Sequence, residues 1–198
     1  MASGFNISTF KTRGLVYGGA RPALFEVYLS LPTGVGATSA SVDKFRFTCR
    51  AAQLPAATIN EIDVPYFGRK IKIAGDRTFA DWTVTVMNDE DFTVRSMFEK
   101  WSNSLNRLQA NVRDQAYSLN ENSYKATMNV RQYGKDGTMI REYEILGAFP
   151  TVVDAIDLDW DTQNQVETFR VTFAYDYWLP SYEPTNPYRA DAVTPISI

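Results

Sequence analysis

The sequence predicts a mainly β domain interrupted by one amphipathic helix. Three observations carry that expectation. Aromatic residues are abundant, with 12 Phe, 11 Tyr and 4 Trp among 198 residues, and such side chains pack best on a pleated, half-buried surface. Apolar and polar residues alternate with period two in several separate segments, as in strands with one buried face. A single segment shifts to spacings of three and four. Hydrophobic residues make up 44% of the chain, enough for one continuous core, and no internal repeat divides it. Residues 1–198 therefore read as one domain.

Residues 1–21 are polar and loosely patterned, and Gly4, Gly14, Gly18 and Gly19 make them a flexible N-terminal arm. Phe25, Val27, Leu29 and Leu31 then alternate with Glu26, Tyr28 and Ser30, predicting a strand. A Gly, Ser and Thr-rich loop is expected from Pro32 to about Ser41. In DKFRFTCRAA the alternation predicts a second strand, with Phe45, Phe47 and Cys49 on one side and Lys44, Arg46, Thr48 and Arg50 on the other. Its basic face is either simply solvated or an inter-subunit contact, which makes Lys44, Arg46 and Arg50 the inter-subunit candidates.

INEIDVPYFGRKIKIA reads as two short strands broken at Pro65 and Gly68. Strand signals resume at Phe79 and continue through Trp82, Val84 and Val86. Asn88 is expected to cap a helix whose first turn holds Asp89, Glu90 and Asp91, opposite the positive end of the helix dipole. Val94, Met97, Phe98, Trp101, Leu105 and Leu108 form its apolar stripe. Such a stripe is a packing surface, and Trp82, Val94, Phe98, Trp101 and Leu105 are the expected contacts between helix and sheet.

Gly134, Lys135, Asp136 and Gly137 lie between two β-runs and predict a hairpin turn. TVVDAIDLDW and VETFRVTFAYDYW predict two further strands, the latter alternating Phe169, Val171, Phe173, Tyr175 and Tyr177 with polar partners. Residues 180–198 hold Pro180, Pro184, Pro187 and Pro195, which favour an extended C-terminal tail.

Composition narrows the chemistry. The chain has no histidine, which removes Ser-His and Cys-His catalysis and His-based zinc sites within one chain. Cys49 is the one cysteine, so it forms no internal disulfide and reads as a small buried hydrophobe. Net charge is −3, without a basic stripe for gripping phosphates. No stretch is long and apolar enough for a membrane span, and the N-terminus lacks a secretion signal, so no membrane insertion is expected and synthesis is placed in the cytoplasm.

Asp157, Asp159 and Asp161 imitate the start of a calcium loop, but Thr162 and Thr168 stand where Gly and a bidentate Glu are needed. At strand period the three would share one face, opposite Ile156, Leu158 and Trp160. That ridge is either a solvated face or the lining of a passage for an anionic polymer, which it would repel and let slide. VYGGARP lacks the features of a phosphate loop. No catalytic, cofactor or metal site is expected.

The succession PYFGRKIKIAGDRTFADWTVTVMNDEDF, a helix with MFEKW, then GAFPTVVDAIDLDW and ETFRVTFAYDYW resembles the tail tube proteins of large contractile-tailed bacteriophages of the myovirus type, along essentially the whole chain and in order. The resemblance implies two packed antiparallel sheets, a sandwich or partial barrel, with one flanking helix. It implies a non-enzymatic virion subunit whose hexameric rings stack inside the contractile sheath. The tube would be the conduit for DNA ejection, and neighbouring subunits would join strands into one ring barrel. Implied partners are the chain itself, the tail sheath protein, baseplate and tail-terminator proteins, and genomic DNA that passes without sequence-specific binding. Asp157, Asp159 and Asp161 are our lumen candidates within that picture. The alternatives are the inner tube of a type VI secretion or other contractile injection system and, from a different class, a carbohydrate-binding β-sandwich module or carboxylate glycosidase.

Overall fold

A fifteen-residue strand organises the chain. The computed structural model describes residues 6–15, 18–32, 38–113 and 123–182. Within them β1 (Phe25–Ser30), β6 (Ala126–Tyr133), β7 (Met139–Val153), β8 (Thr168–Ala174), β5 (Trp82–Met87) and β2 (Cys49–Ala52) follow one another in a single antiparallel ladder. The long strand β7 belongs to both halves of it. Its first part pairs with β6 and with β9 (Tyr177–Tyr182), and its second part pairs with β8. The change falls at Gly147, whose φ is 69° and where a Cβ would collide with the Asp176 carboxylate. Only glycine fits both the left-handed backbone and the close approach. Lys125 holds Asp176 there at 3.0 Å. The fold is mainly β, built of two antiparallel half-sheets: β1, β6, early β7 and β9 form the first, and late β7, β8, β5 and β2 the second.

Both half-sheets face one core. Val27 and Leu29 of β1, Met128 and Val130 of β6 and Ile145 of β7 meet Trp82, Val84 and Val86 of β5 and Phe169, Val171 and Phe173 of β8. β1 and β2, at the two ends of the ladder, touch, which makes the arrangement a partial barrel. Of the alternating positions expected, Val27 and Leu29, Trp82, Val84 and Val86, and Phe169, Val171 and Phe173 are buried, whereas Phe25, Leu31 and Tyr175 are half-buried and Tyr177 is exposed. The turn between β6 and β7 lies at Gly134–Gly137, with Gly137 at φ 82° and its N–H donating to the Gly134 carbonyl.

The expected amphipathic helix is α3 (Thr93–Leu105), and Val94, Met97, Phe98 and Trp101 are buried, with Leu105 packed at the margin. Trp101 stacks with Phe98 and lies 6.1 Å from Phe173, and its indole N–H donates to the Tyr124 carbonyl. Leu108 lies beyond the helix and is exposed.

Several expected elements differ. Residues 43–48 are not a strand: Ser39–Thr48 form α2, and only Cys49–Ala52 of the expected strand are extended, so the fold has two substantial flanking helices. Thr38 and Ser41 make a reciprocal capping box that starts it, and Phe45 turns into the core beside Phe98 while Phe47 stays exposed. Asn88 does not cap α3. The helix begins at Thr93 after Phe92 in a left-handed conformation, and Asp89–Asp91 form the preceding turn. The strand predicted through TVVDAIDLDW ends at Val153, so Asp157, Asp159 and Asp161 lie in a loop. The last predicted strand divides at Tyr175 and Asp176 into β8 and β9, and Pro180 belongs to β9, opposite Tyr143. At the N-terminus, Ile7–Thr9 (α1) and Phe10–Gly14 form a short helical stretch within the segment read as a flexible arm. Parts of both termini and of the 32–41 loop lie outside the described residues.

Because Trp101 is fully buried, replacing it with Ala is expected to cost about 3 to 5 kcal/mol in a denaturant titration. A change within error of zero would show that α3 does not hold the sheet as described.

Candidate functional site

Among the described residues, three uncovered surfaces stand on this scaffold. The first is a hairpin made by β3 (Thr58–Tyr66) and β4 (Arg69–Thr78), which form a separate two-stranded sheet. Pro65 lies inside β3 and does not break it, and Phe67-Gly68, both at positive φ, supply the tight turn that the strand twist favours. Ile62 faces Ile73 and Val64 faces Ile71, so these four share one face with Tyr66. Asp63 and Glu61 pair with Lys70 and Lys72 on the other. Every one of the apolar residues is exposed. The ribbon is tied down near its root, where Trp82 donates to the Gln53 carbonyl at 2.6 Å and Tyr175 and Trp178 donate to that of Ala56.

The second surface is the outer face of the second half-sheet. Thr83, Thr85, Arg170 and Thr172 alternate there with the buried Val84, Val86, Val171 and Phe173. Thr83 and Thr172 share a hydrogen bond across the strands at 3.2 Å. This half-sheet is open on both margins among the described residues: β2 pairs with β5 alone, and β7 beyond Ala148 keeps only β8.

The third is the loop between β7 and β8. Its ends are fixed: Arg95 of α3 donates to the Asp154 carbonyl at 3.0 Å, the Asp154 N–H to the Arg170 carbonyl, and Asn88 binds Glu167 through both backbone and side chain. Between them Asp159 accepts from the Asp161 N–H at 3.0 Å, forming a turn. Trp160, at 97% exposure, and Leu158 stand on that turn without cover. The lumen candidates Asp157, Asp159 and Asp161 are therefore grouped, but beyond the end of the sheet and not as a ridge on it.

Of the inter-subunit candidates, two are engaged within the chain. Lys44 bridges Asp89 and Asp91 at 2.5 Å each, fastening α2 to the turn before α3. Arg46 pairs with Glu26 at 3.0 Å and lies 4.6 Å from the centre of the Tyr28 ring, whose other neighbour is Arg131. Burial works to raise the Glu26 carboxyl, but hydrogen bonds from Tyr28, Arg46 and Tyr133 outweigh it and hold the group below its usual range. Arg50 is exposed at the bulge of β2. Burial pushes the Cys49 thiol up to about 12, which makes it a poor nucleophile. Among the described residues no group of three acidic or sulfur ligands could hold a metal ion.

The hairpin's apolar face went unrecognised in the sequence although its signal was present. Ile62, Val64, Ile71 and Ile73 alternate like any strand packed on a core, and alternation alone does not say whether that core belongs to the same chain.

Lys44 first, then the Thr93 backbone N–H, draws the Asp91 carboxyl down to about 2. A depressed acid contributes stability above its unfolded value of about 3.9, and that contribution is lost as pH falls through the folded value. The Asp91 carboxyl should therefore titrate near 2 by NMR and return toward the ordinary value in Lys44→Ala. An unchanged midpoint in that variant would show that Lys44 is not the cause.

Comparison with known proteins agrees in sequence and in fold. The family model described as phage tail tube protein matches residues 20–181. Tail tube protein gp19 of Enterobacteria phage T4 is 42% identical over 80% of this chain and 90% of its own length, and the Enterobacteria phage T6 protein gives the same values. The fold is shared with a chain of the anti-feeding prophage baseplate, 6-fold symmetrised. Its TM-score is 0.58 at 14% identity, covering 82% of this chain and 95% of that one. A chain of the sheath/tube terminator of an extracellular contractile injection system, PVC, also gives 0.58 at 15% identity, covering 83% and 97%.

Proposed function

The chain belongs to the phage tail tube protein family, and we propose that it acts by geometry alone, as hexameric rings stacked into the tube through which DNA leaves the virion. It is a structural subunit of a phage tail tube and a component of the virion. Catalysis has no place in this reading, and no cofactor enters it.

The observation that carries the proposal is the hairpin β3–β4. An isolated two-stranded ribbon is marginally stable in water, and this one exposes a continuous apolar face of Ile62, Val64, Tyr66, Ile71 and Ile73. Among the described residues nothing is placed to cover that face, and in this reading another subunit does. The open margins of the second half-sheet support lateral closure in the same way. β2 of one copy meets late β7 of the next, and a closed circle leaves no free edge. Six copies of a four-stranded half-sheet then form a continuous barrel. The 6-fold symmetry named for the anti-feeding prophage baseplate accords with that count.

In this arrangement the Thr83, Thr85, Thr172 and Arg170 face lines the bore. Threonine hydroxyls make up most of this face and carry no charge, and Arg170 adds a single cation per subunit, so DNA is held only weakly there by counterion release. Asp157, Asp159 and Asp161 lie past the end of that face, at its rim. The outer side of the tube meets the sheath, and the tube's two ends meet baseplate and terminator proteins.

The purified chain is expected to form rings and stacked tubes as its concentration rises, visible by negative-stain microscopy and sedimentation. Ile62→Lys with Ile73→Lys should abolish stacking and leave the circular dichroism spectrum and melting point of the folded subunit nearly unchanged, because both side chains are solvent-exposed in the subunit. A parent chain that stays monomeric at all concentrations, or a double variant that assembles normally, would contradict the proposal.

A further inference from the structure

We propose that the anchored loop of residues 154–167 in one copy docks on the apolar face of the β3–β4 hairpin of a second copy, joining copies head to tail. This rests on the tube reading above and names the contact that stacks one ring on the next.

Position is the first argument. β5 starts at Trp82, close to the hairpin's root, and ends at Met87, opposite Thr168 where the loop rejoins β8. Hairpin root and loop therefore sit at opposite ends of the same strands, separated by about 20 Å at the usual rise per residue. Neither covers the other within the chain, since Leu158, Trp160, Ile71 and Ile73 are all exposed. A knob at one end and a receiving face at the other make a heterologous contact, which repeats from copy to copy along the strand direction.

Charge is the second argument. The loop segment holds Asp154, Asp157, Asp159, Asp161 and Glu167 and no cation. On the hairpin, the pairing of Arg69 with Tyr66 puts Arg69 on the same side as Ile71 and Ile73, whereas the register shift between Ile59 and Glu61 carries Arg77 to the other side. Lys70 and Lys72, on the other side, are already paired with Asp63 and Glu61. Arg69 has no ion-pair partner among the described residues. The cation left over on that side thus borders the apolar patch, matching a Trp and a Leu set among carboxylates. Burying Trp160 and Leu158 against the isoleucines supplies the apolar centre of the contact, and a guanidinium-carboxylate pair supplies its rim.

Anchoring is the third. Arg95, Asn88 and the Asp159 turn hold the loop in place before any partner arrives, so docking costs little ordering entropy.

The test uses the full chain and its concentration for half-maximal assembly. Trp160→Ala should raise that concentration by about tenfold or more, with the folded subunit's spectrum unchanged. Asp157→Arg, and separately Arg69→Glu, should each do the same, and the two changes together should restore assembly to within about threefold of the parent. In a second measurement, a Trp160→Cys chain mixed with an Ile71→Cys chain should give a disulfide-linked dimer on oxidation, which neither forms alone in comparable yield. If the parent assembles but Trp160→Ala assembles equally well, or the combined reversal is no better than either half, or the mixed chains fail to cross-link, the docking is overturned and the tube reading stands. A parent that never assembles overturns both.

Discussion

A two-stranded ribbon has two faces and no third layer, and that constraint shapes this protein. Glu61, Asp63, Lys70 and Lys72 satisfy one face of the β3–β4 hairpin in water. Ile62, Val64, Ile71 and Ile73 leave the other without cover. In a protein that worked alone such a ribbon would be an aggregation hazard. In the proposed tube, the same face is completed by a neighbouring copy on assembly. The well-packed remainder serves this unfinished part: Trp82, Tyr175 and Trp178 fasten its root, and the core behind them fixes where it points.

The core performs that role through two devices. Gly147 lets β7 pass from one half-sheet to the other, so a single strand sets the relation of both. Phe45, Phe98, Trp101, Phe169 and Phe173 then form a connected aromatic cluster that locks α2 and α3 over the sheets. Edge-to-face and stacked rings at these separations add directional preference to simple burial. Rigidity matters because open strand margins join their neighbours correctly only if register is held within the subunit.

Much of this was legible from period alone. The strands at Phe25–Ser30, Trp82–Met87 and Thr168–Ala174, the α3 stripe and the Gly134–Gly137 turn all follow from local patterns that agree with their tertiary surroundings. The failures have physical causes. Phe45, Phe47 and Cys49 mimic a strand, but the Thr38–Ser41 capping box lay in what looked like a Ser-rich loop, and it starts a helix that rotates Phe47 into solvent. Asn88 seemed a suitable cap, yet it is occupied by Glu167. The Asp157–Asp161 alternation describes a loop whose turn is made by Asp159 itself. The functional surfaces were least legible, because an apolar residue awaiting another chain has the same pattern as one buried in its own.

The most direct measurement is a cryo-EM reconstruction of the assembly that the purified chain forms. The account predicts a sixfold hollow tube in which each β3–β4 hairpin is covered on its apolar face by a subunit of the adjoining ring and the Thr83–Thr172 face looks into the bore. A reconstruction with the hairpins bare to solvent, or with that threonine face on the outside, would contradict it.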